Sequence, residues 1–410
     1  MTTFVIIVFV IGYLAIAFEH PLKLNKAAAA LLTGVLCWTI YILSGVEKEL
    51  AVEELLHHLG EISSILFFLL GAMTIVELID SHDGFTLITD KIKTRSKAKL
   101  LWIIAIITFF LSALLDNLTT AIVMTSLTAK LLDEKNDRLW FTGMIIIAAN
   151  AGGAFSPFGD ITTLMVWQQN VLPFFAFFKL FIPSVVSFII PAFVMSFAIP
   201  KGVPEKIVAI TPLKRGASLS VFLFLLTIIT AVFAHTFFHF PPAFGMMLGL
   251  AYLQIFSYFI KQKESFDIFK HIEHVEWDTL LFFYGVMLCI GALATLGYLE
   301  LVSHYLYGSL GSTVTNVLLG ALAAIIGNIP IMFSVLGMHP VMPEGQWLLI
   351  TLTAGIGGNL LAIGSAAGVA LMGESRGQYT FLSHLKWSWI ILIGYLAAVA
   401  VHVLINYSMF

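Results

Sequence analysis

Long apolar runs alternate with short polar interruptions along most of this chain. Runs long enough to cross about 30 Å of hydrocarbon fall near 3–18, 27–46, 62–80, 171–199, 217–238, 243–260, 279–298 and 387–408. Four further apolar stretches, 99–132, 140–169, 313–338 and 346–374, are broken by polar or glycine-rich pieces. Irregular backbone at membrane depth survives only where it is buried in protein or lines a cavity. The four interrupted stretches therefore carry more information than the eight clean ones.

Composition fixes the solvent. The 410 residues are 59% hydrophobic and only 11% charged, whereas a soluble domain of this length carries about 25% charged residues. Lipid must replace water around much of the surface. Cys37 and Cys289 both lie inside apolar runs, which excludes a disulfide framework or a cysteine metal site. Ala15-Ile16-Ala17 resembles a signal-cleavage site, but the preceding run is long for a signal and has no basic flank, so it is read as a retained span.

Lysine and arginine set the orientation. Segments 80–99, 200–216 and 261–277 are basic and hence cytoplasmic, while the loops near 234–242, 299–312 and 338–346 contain no Lys or Arg. All of the 21 basic residues except Lys48 and Lys179 obey this one topology, which places both termini in the periplasm. Run 62–80 then travels inward and 279–298 outward. Stretch 99–132 enters and leaves by the cytoplasmic face as a re-entrant hairpin, and 313–338 does the same from outside.

The expected fold is an all-α polytopic membrane protein of two inverted-topology repeats, each about five transmembrane helices plus a re-entrant hairpin and a broken helix. Residues 1–199 form the first repeat, 200–216 a cytoplasmic linker and 217–410 the second. Faint internal similarity agrees. "LFFLLGAM" at 66–73 resembles "LFFYGVML" at 281–288, and Asp116-Asn117 stands where Gly327-Asn328 stands. Asn150 and Ser156-x-x-Gly159 share their spacing with Asn359 and Ser365-x-x-Gly368.

Nearly all of the 24 acidic residues lie in loops or at span ends, but Asp116, Asp160 and, nearer the cytoplasm, Glu77 do not. A carboxylate at the bilayer centre costs about 2.5–3.5 kcal/mol on insertion scales, so its presence needs a reason. Asp116 sits at the first hairpin tip in "SALLDNLTTAIVM", and Asp160 in the break "NAGGAFSPFGDITTLM". The aligned positions in the second half are Gly327 and Val369, so the charge belongs to one half only. Asp, Asn, Ser, Thr and free carbonyls are oxygen donors of the kind hard cations prefer. A proton and a small cation neutralise the same carboxylate, which is the minimal chemistry of cation/proton exchange.

Each reading has a structural rival. Asp116 and Asp160 could serve as helix caps, Glu77 could extend to the interface with Asp80 and Asp83, and the asparagines could satisfy broken backbone. His271-x-x-His274 lacks a metal motif, and His235 and His239 read as interfacial with some capacity for pH sensing. No nucleotide-binding loop, HExxH or GxSxG occurs, and no nucleophile–base pair stands out, so the chain reads as a transporter rather than an enzyme.

"LLGAMTIVELIDSHDGF" at 69–85, "SALLDNLTTAIVM" at 112–124, "ANAGGAFSPFGDITTLMVW" at 149–167 and "GGNLLAIGSAAGVALMG" at 357–373 resemble the NhaD-type sodium/proton antiporters, relatives of arsenite permeases and dicarboxylate carriers. The resemblance implies export of Na⁺ or Li⁺ in exchange for protons across a bacterial inner membrane, by a homodimer needing no cofactor and no nucleic acid. Dicarboxylate carriers of this group have a Ser-Asn-Thr signature at both hairpin tips. Here the tips read Asp116-Asn117-Leu118-Thr119 and Gly327-Asn328-Ile329-Pro330, a departure that weakens an organic-anion reading. An arsenite carrier stays open, and a passive cation channel is the more distant alternative.

On this reading Asp116 and Asp160 are the exchanging carboxylates for Na⁺ or Li⁺. Asn117, Thr120, Asn150, Thr163, Asn328, Asn359 and Ser365 supply neutral ligands or shape the cavity, with Glu77 and Ser156 in accessory or gating roles.

Overall fold

The computed structural model describes residues 2–17, 22, 24–81, 94–132, 134–200, 202, 217–261, 272–273, 275–375 and 378–410. The expected linker 200–216 and the His271/His274 pair lie almost wholly or wholly outside these residues, as does Asp83. Among the described residues the structure is all-helical, with eighteen α-helices and no strand. Seven helical stretches are long and apolar enough to cross a bilayer, and the chain is a polytopic membrane protein.

In chain order the helices are α1 (Thr2–Ala17), α2 (Lys26–Leu43), α3 (Lys48–Ser81), α4 (Lys97–Leu115), α5 (Asn117–Leu131), α6 (Lys135–Gly153), α7 (Ile161–Gln168) and α8 (Phe181–Ala198). There follow α9 (Ala217–Phe238), α10 (Pro242–Lys261), α11 (Trp277–Thr295), α12 (Tyr298–Leu310), α13 (Ser312–Ile326) and α14 (Asn328–Met338). The chain ends with α15 (Glu344–Gly357), α16 (Ala366–Glu374), α17 (Phe381–Leu385) and α18 (Ser388–Ile405). Every clean apolar run in the sequence overlaps one of these helices, but run 171–199 enters α8 only after a 3₁₀ helix, Phe174–Leu180.

The helices pack in two groups. Helices α1, α2, α3, α9, α10 and α11 contact chiefly one another. The second group gathers α4 to α8 with α13 to α18, and α11, α12 and α3 bridge the two. All four interrupted stretches fall in the second group. α4 and α5 meet at the single residue Asp116, and α13 and α14 at Gly327. The stretch 154–160 separates α6 from α7, and two 3₁₀ turns, Gly358–Leu360 and Ala362–Gly364, separate α15 from α16.

Close approach holds these breaks together. A Cβ built on Gly152 would lie 2.0 Å from the Phe109 carbonyl oxygen, and one on Gly357 would lie 1.9 Å from that of Gly320. Only glycine lets the backbone of α6 meet α4, and that of α15 meet α13, at such range.

Two elements differ from the sequence reading. Segment 299–312, expected as a loop, is helical from Tyr298 to Leu310. Its pattern is amphipathic, with Leu299 and Ser303 buried and Leu301 and Tyr305 exposed, and glycines with positive φ (Gly297 and Gly311) bound it. Thirteen residues rise only about 20 Å, so the helix is too short to cross and gave no run of spanning length. Helix α3 begins at Lys48 rather than near 62 and holds 34 residues. The apolar run located its hydrophobic part, while the preceding Glu- and His-bearing turns contain no proline to stop the helix.

A buried ion pair anchors the end of the second group that carries the basic flank. Lys97 at the start of α4 pairs with Asp137 on α6, both nearly inaccessible to solvent. Arg138 donates from Nε to the Leu132 carbonyl at 2.8 Å and from Nη2 to that of Ala129 at 3.2 Å, closing the C-terminal end of α5. Breaking a buried pair from one side costs about 3–5 kcal/mol, whereas replacing both partners by apolar groups is often neutral. Lys97→Met alone should therefore lower the thermal unfolding midpoint of the detergent-solubilised protein by several degrees, and Lys97→Met with Asp137→Leu should recover most of the loss. Equal midpoints for the single variant and the unaltered protein would remove the pair from the fold's supports.

Candidate functional site

Four helix N-termini converge where the interrupted stretches meet. Asp116 caps α5, Asp160 caps α7 and Ser365 caps α16 through side-chain bonds to backbone amides, and Asn328 is the first residue of α14. Each N-terminus contributes unpaired N–H groups and the positive end of a helix dipole. The sequence offers capping residues at three of these ends, and the capping reading of both aspartates holds locally.

Asp160 is the hub. Its Oδ2 accepts from Asn117 Nδ2 at 2.9 Å and from Asn328 Nδ2 at 3.0 Å, and its Oδ1 accepts from the Thr162 amide at 3.1 Å. Asn117 and Asn328 open α5 and α14, so one carboxylate binds the tips of both hairpin-like elements. Asn117 Nδ2 also donates to Asn150 Oδ1 at 2.9 Å. Asn150 in turn donates to Asn359 Oδ1 at 2.7 Å and to Ser365 Oγ at 2.8 Å. The series ends where Asn359 Nδ2 donates to the Ile147 carbonyl at 3.3 Å. Asp160, Asn117, Asn150, Asn328, Asn359 and Ser365 are each at most 2% exposed.

Asp116 stands beside this network rather than within it. Its Oδ1 accepts from the Thr119 amide at 2.8 Å and its Oδ2 from the Thr119 hydroxyl at 2.7 Å. Its backbone has φ 77° and ψ 157°, a region used almost only by glycine. The aligned Gly327 has φ 102° and ψ 145°. The same turn is thus made by glycine in one half and by a strained aspartate in the other, at a cost of about 1–3 kcal/mol. Asp116 remains 5% exposed.

The hydroxyls divide into two sets. Thr163 Oγ1 lies 2.8 Å from the Ser156 carbonyl and 2.7 Å from that of Asp160, so it ties down the break. Ser156 Oγ accepts from the Phe158 amide at 3.3 Å, another local turn contact. Thr120 and Thr162 are fully buried, and among the described residues their hydroxyls have no hydrogen-bond partner. Thr162 is absent from the sequence-based set. It neighbours Thr163, and sequence alone gives no means of choosing which of two adjacent hydroxyls faces the chemistry. Glu77 is half-buried on α3.

His384, also absent from the sequence reading, supports the second break. Its Nε2 lies 2.7 Å from the Asn359 carbonyl and its Nδ1 2.7 Å from the Tyr379 hydroxyl. Burial holds the imidazole below the ordinary histidine range, in the neutral form that donates to Asn359 and accepts from Tyr379. Ser388 Oγ, at the start of α18, donates to the Leu360 carbonyl at 2.5 Å, which also satisfies the irregular backbone.

A cavity of about 770 Å³ lies elsewhere. Glu54, His58, Glu61, Glu300, His304 and His339 are among its lining, and none of the candidate site residues reaches it. Phe333 and Leu336 line it from α14, whose first residue is Asn328. At about 1.5 Å per residue, five residues of helix separate Asn328 from Phe333 by roughly 7–8 Å.

Comparison with known proteins gives this geometry a family. Residues 13–355 match the model of the CitMHS family, described as citrate transporter. The Na⁺/H⁺ antiporter NhaD of Vibrio cholerae is 45% identical over 439 aligned positions, covering 99% of this chain and 92% of that protein. The NhaD antiporter of Alkalimonas amylolytica is 43% identical, with 99% and 91% covered. Sodium/proton antiporter 1 of Arabidopsis thaliana is 37% identical over 98% of this chain and 72% of its own length. The chain belongs to the NhaD Na⁺/H⁺ antiporter family, among the proteins that the citrate-transporter model describes.

Proposed function

We propose that the protein is a secondary transporter that exchanges Na⁺ or Li⁺ for protons at Asp160 and Asp116, by alternating access across a bacterial inner membrane. The observation that carries this is the buried Asp160 carboxylate, tied to the tips of both α5 and α14. No lysine or arginine among the described residues pairs with either aspartate. The negative charge is left to a proton or a metal cation, and the nearby donors are oxygens suited to a hard cation.

The citrate reading has a specific basis in the family model and in the helix N-termini, which favour anions. In this chain the resident carboxylates of Asp116 and Asp160 already face those N-termini. They would repel a tricarboxylate and attract a cation, so a scaffold suited to an anion becomes one suited to Na⁺ or Li⁺.

Exchange follows from what the carboxylate can accept. Nδ2–H groups cannot ligate a cation, so Asn117 and Asn328 must turn or withdraw when a cation binds Asp160. Turning Asn117 alters its bond to Asn150, and through Asn150 the bonds to Asn359 and Ser365. Occupancy at one carboxylate is thereby felt in both halves. The two halves are read as inverted repeats, 1–199 and 217–410, and the helix group bearing the breaks as the part that moves against α1, α2, α3, α9, α10 and α11. Both termini would be periplasmic. The large cavity would then be the external vestibule, with the turns of α14 from Asn328 to Phe333 between it and Asp160.

Everted vesicles from a host without its own antiporters, energised to a respiratory pH gradient, test the reading. NaCl or LiCl should collapse the gradient, and KCl and citrate should not. Asp160→Asn should reduce the response to that of vesicles lacking the protein, with normal membrane insertion; wild-type exchange in this variant would remove Asp160 from the mechanism. A response to citrate alone would favour the anion reading.

Asp116→Gly separates conformation from chemistry. Relief of the backbone strain outweighs the small cost of a glycine cap, so the unfolding midpoint should hold or rise by the equivalent of about 1 kcal/mol. Sodium-driven exchange should be lost all the same. Retained exchange would make Asp116 a turn residue only.

A further inference from the structure

Among the described residues three buried histidines contact backbone carbonyls, and one is bonded unlike the other two. His384 has one acceptor partner, the Asn359 carbonyl, and one hydroxyl partner, Tyr379. His402 Nε2 lies 3.0 Å from the Gly345 carbonyl, while its Nδ1 receives Asn406 Nδ2 at 3.0 Å. Either ring is fully satisfied in the neutral state, with one N–H and one lone pair. His235 instead has carbonyl oxygens at both nitrogens: Phe240 at 2.9 Å from Nδ1 and Trp167 at 3.2 Å from Nε2. Carbonyl oxygens only accept, and a neutral imidazole carries only one N–H. A protonated ring donates to both, whereas a neutral ring sets a nitrogen lone pair against one of them.

The two carbonyls belong to different parts of the molecule. Phe240 follows α9, which packs with α10 and α3. Trp167 lies in the last turn of α7, the eight-residue helix that Asp160 caps. His235 is 4% exposed and its ring packs edge-on against Trp167, with centroids 4.6 Å apart. A cationic ring at that position also faces the negative end of the α7 dipole.

Few other ionisable groups bear on it. α7 carries none. α10 has only Tyr252, Tyr258 and Lys261, all beyond the end where Gly245 meets Ala231 of α9. On α3, Glu54 bonds Tyr41, and Glu61 lies 3.8 Å from His57 and 3.6 Å from His58. Glu77 sits four turns further along α3, and His239, the next histidine on, is exposed.

We propose that His235 is a proton-linked latch and thus a positioning residue for exchange: protonated, it clamps the C-terminal end of α7 to the end of α9, and on deprotonation it releases Trp167, the longer of its two contacts. This rests on the exchange reading above, because α7 carries Asp160 and α9 belongs to the group against which it would move. Release at higher pH would free the Asp160-bearing helix to change its position.

Hydrogen–deuterium exchange of the wild-type protein, corrected for intrinsic rates, tests the latch without any variant. Between about pH 5 and 8, the range in which the charge of an unperturbed histidine changes, protection in a peptide covering 164–172 should fall, while a control peptide at 144–153 stays constant. His235→Gln should show the same protection at every pH. In proteoliposomes it should also flatten the pH profile of sodium-driven exchange rather than scale it uniformly. Protection independent of pH in the wild type, or an unchanged pH profile in a folded His235→Gln, would overturn the proposal. If His235→Gln fails to fold, the wild-type exchange series decides. Absence of sodium-driven exchange in the wild type, with pH-dependent protection intact, would overturn the transport reading and leave the latch standing.

Discussion

An ionised carboxylate can only accept hydrogen bonds, and that single constraint orders the centre of this protein. Because Asp160 accepts, Asn117 must present its NH₂ group to it. The same NH₂ group reaches Asn150 Oδ1, so the Asn150 NH₂ group must point the other way, toward Asn359 and Ser365. Each amide orientation follows from the one before. A low-dielectric interior makes such a chain strong when complete and costly when any member is unpaired. The breaks in four helices are thereby held to one arrangement for as long as Asp160 accepts from both asparagines.

The scaffold makes this possible by close backbone approach. Glycines at 152 and 357 let helices meet at distances a methyl group would forbid, which seals the irregular segments from lipid. Carbonyls freed by the breaks are then taken up locally: by Thr163 in the first half, and by His384 and Ser388 in the second. The halves solve the same problem with different residues. That difference is why one break could be read from its own sequence while the other depends on residues 25 and 28 positions further on.

Much of the architecture was legible because lipid imposes it. Span lengths, the four interruptions and the buried aspartates each follow from the cost of placing polar groups in hydrocarbon, so apolar runs and their exceptions were sufficient. The amphipathic α12 and the first turns of α3 escaped because they answer to an interface rather than to the hydrocarbon core, and leave no long apolar run. Within the site, sequence gave the polar residues but not their partners. Asn117, Asn150, Asn328, Asn359 and Ser365 do converge on one network. Thr163 turns to backbone carbonyls instead, and Thr162 beside it is left with a hydroxyl unpartnered among the described residues. Such choices depend on rotamers and on neighbours distant in sequence, which spacing along a half-helix does not encode.

Charge is placed unequally on two turns of nearly the same backbone conformation. Asp116 and Gly327 adopt nearly the same backbone conformation, and glycine adopts it without strain. An aspartate there is a conformational liability, so the fold alone would favour glycine at both tips. The amides, by contrast, are kept in both halves, as Asn117 with Asn328 and Asn150 with Asn359. Four helix N-termini and a set of amide donors form surroundings that stabilise negative charge. Left without an internal carboxylate, they would call for an anion from outside. On the exchange reading proposed above, Asp160 and Asp116 reverse that demand, and what comes from outside is a positive charge, carried by a proton or by a small metal ion. On that reading, carboxylates at two positions are sufficient, in electrostatic terms, to turn surroundings suited to an anion into a site for a cation.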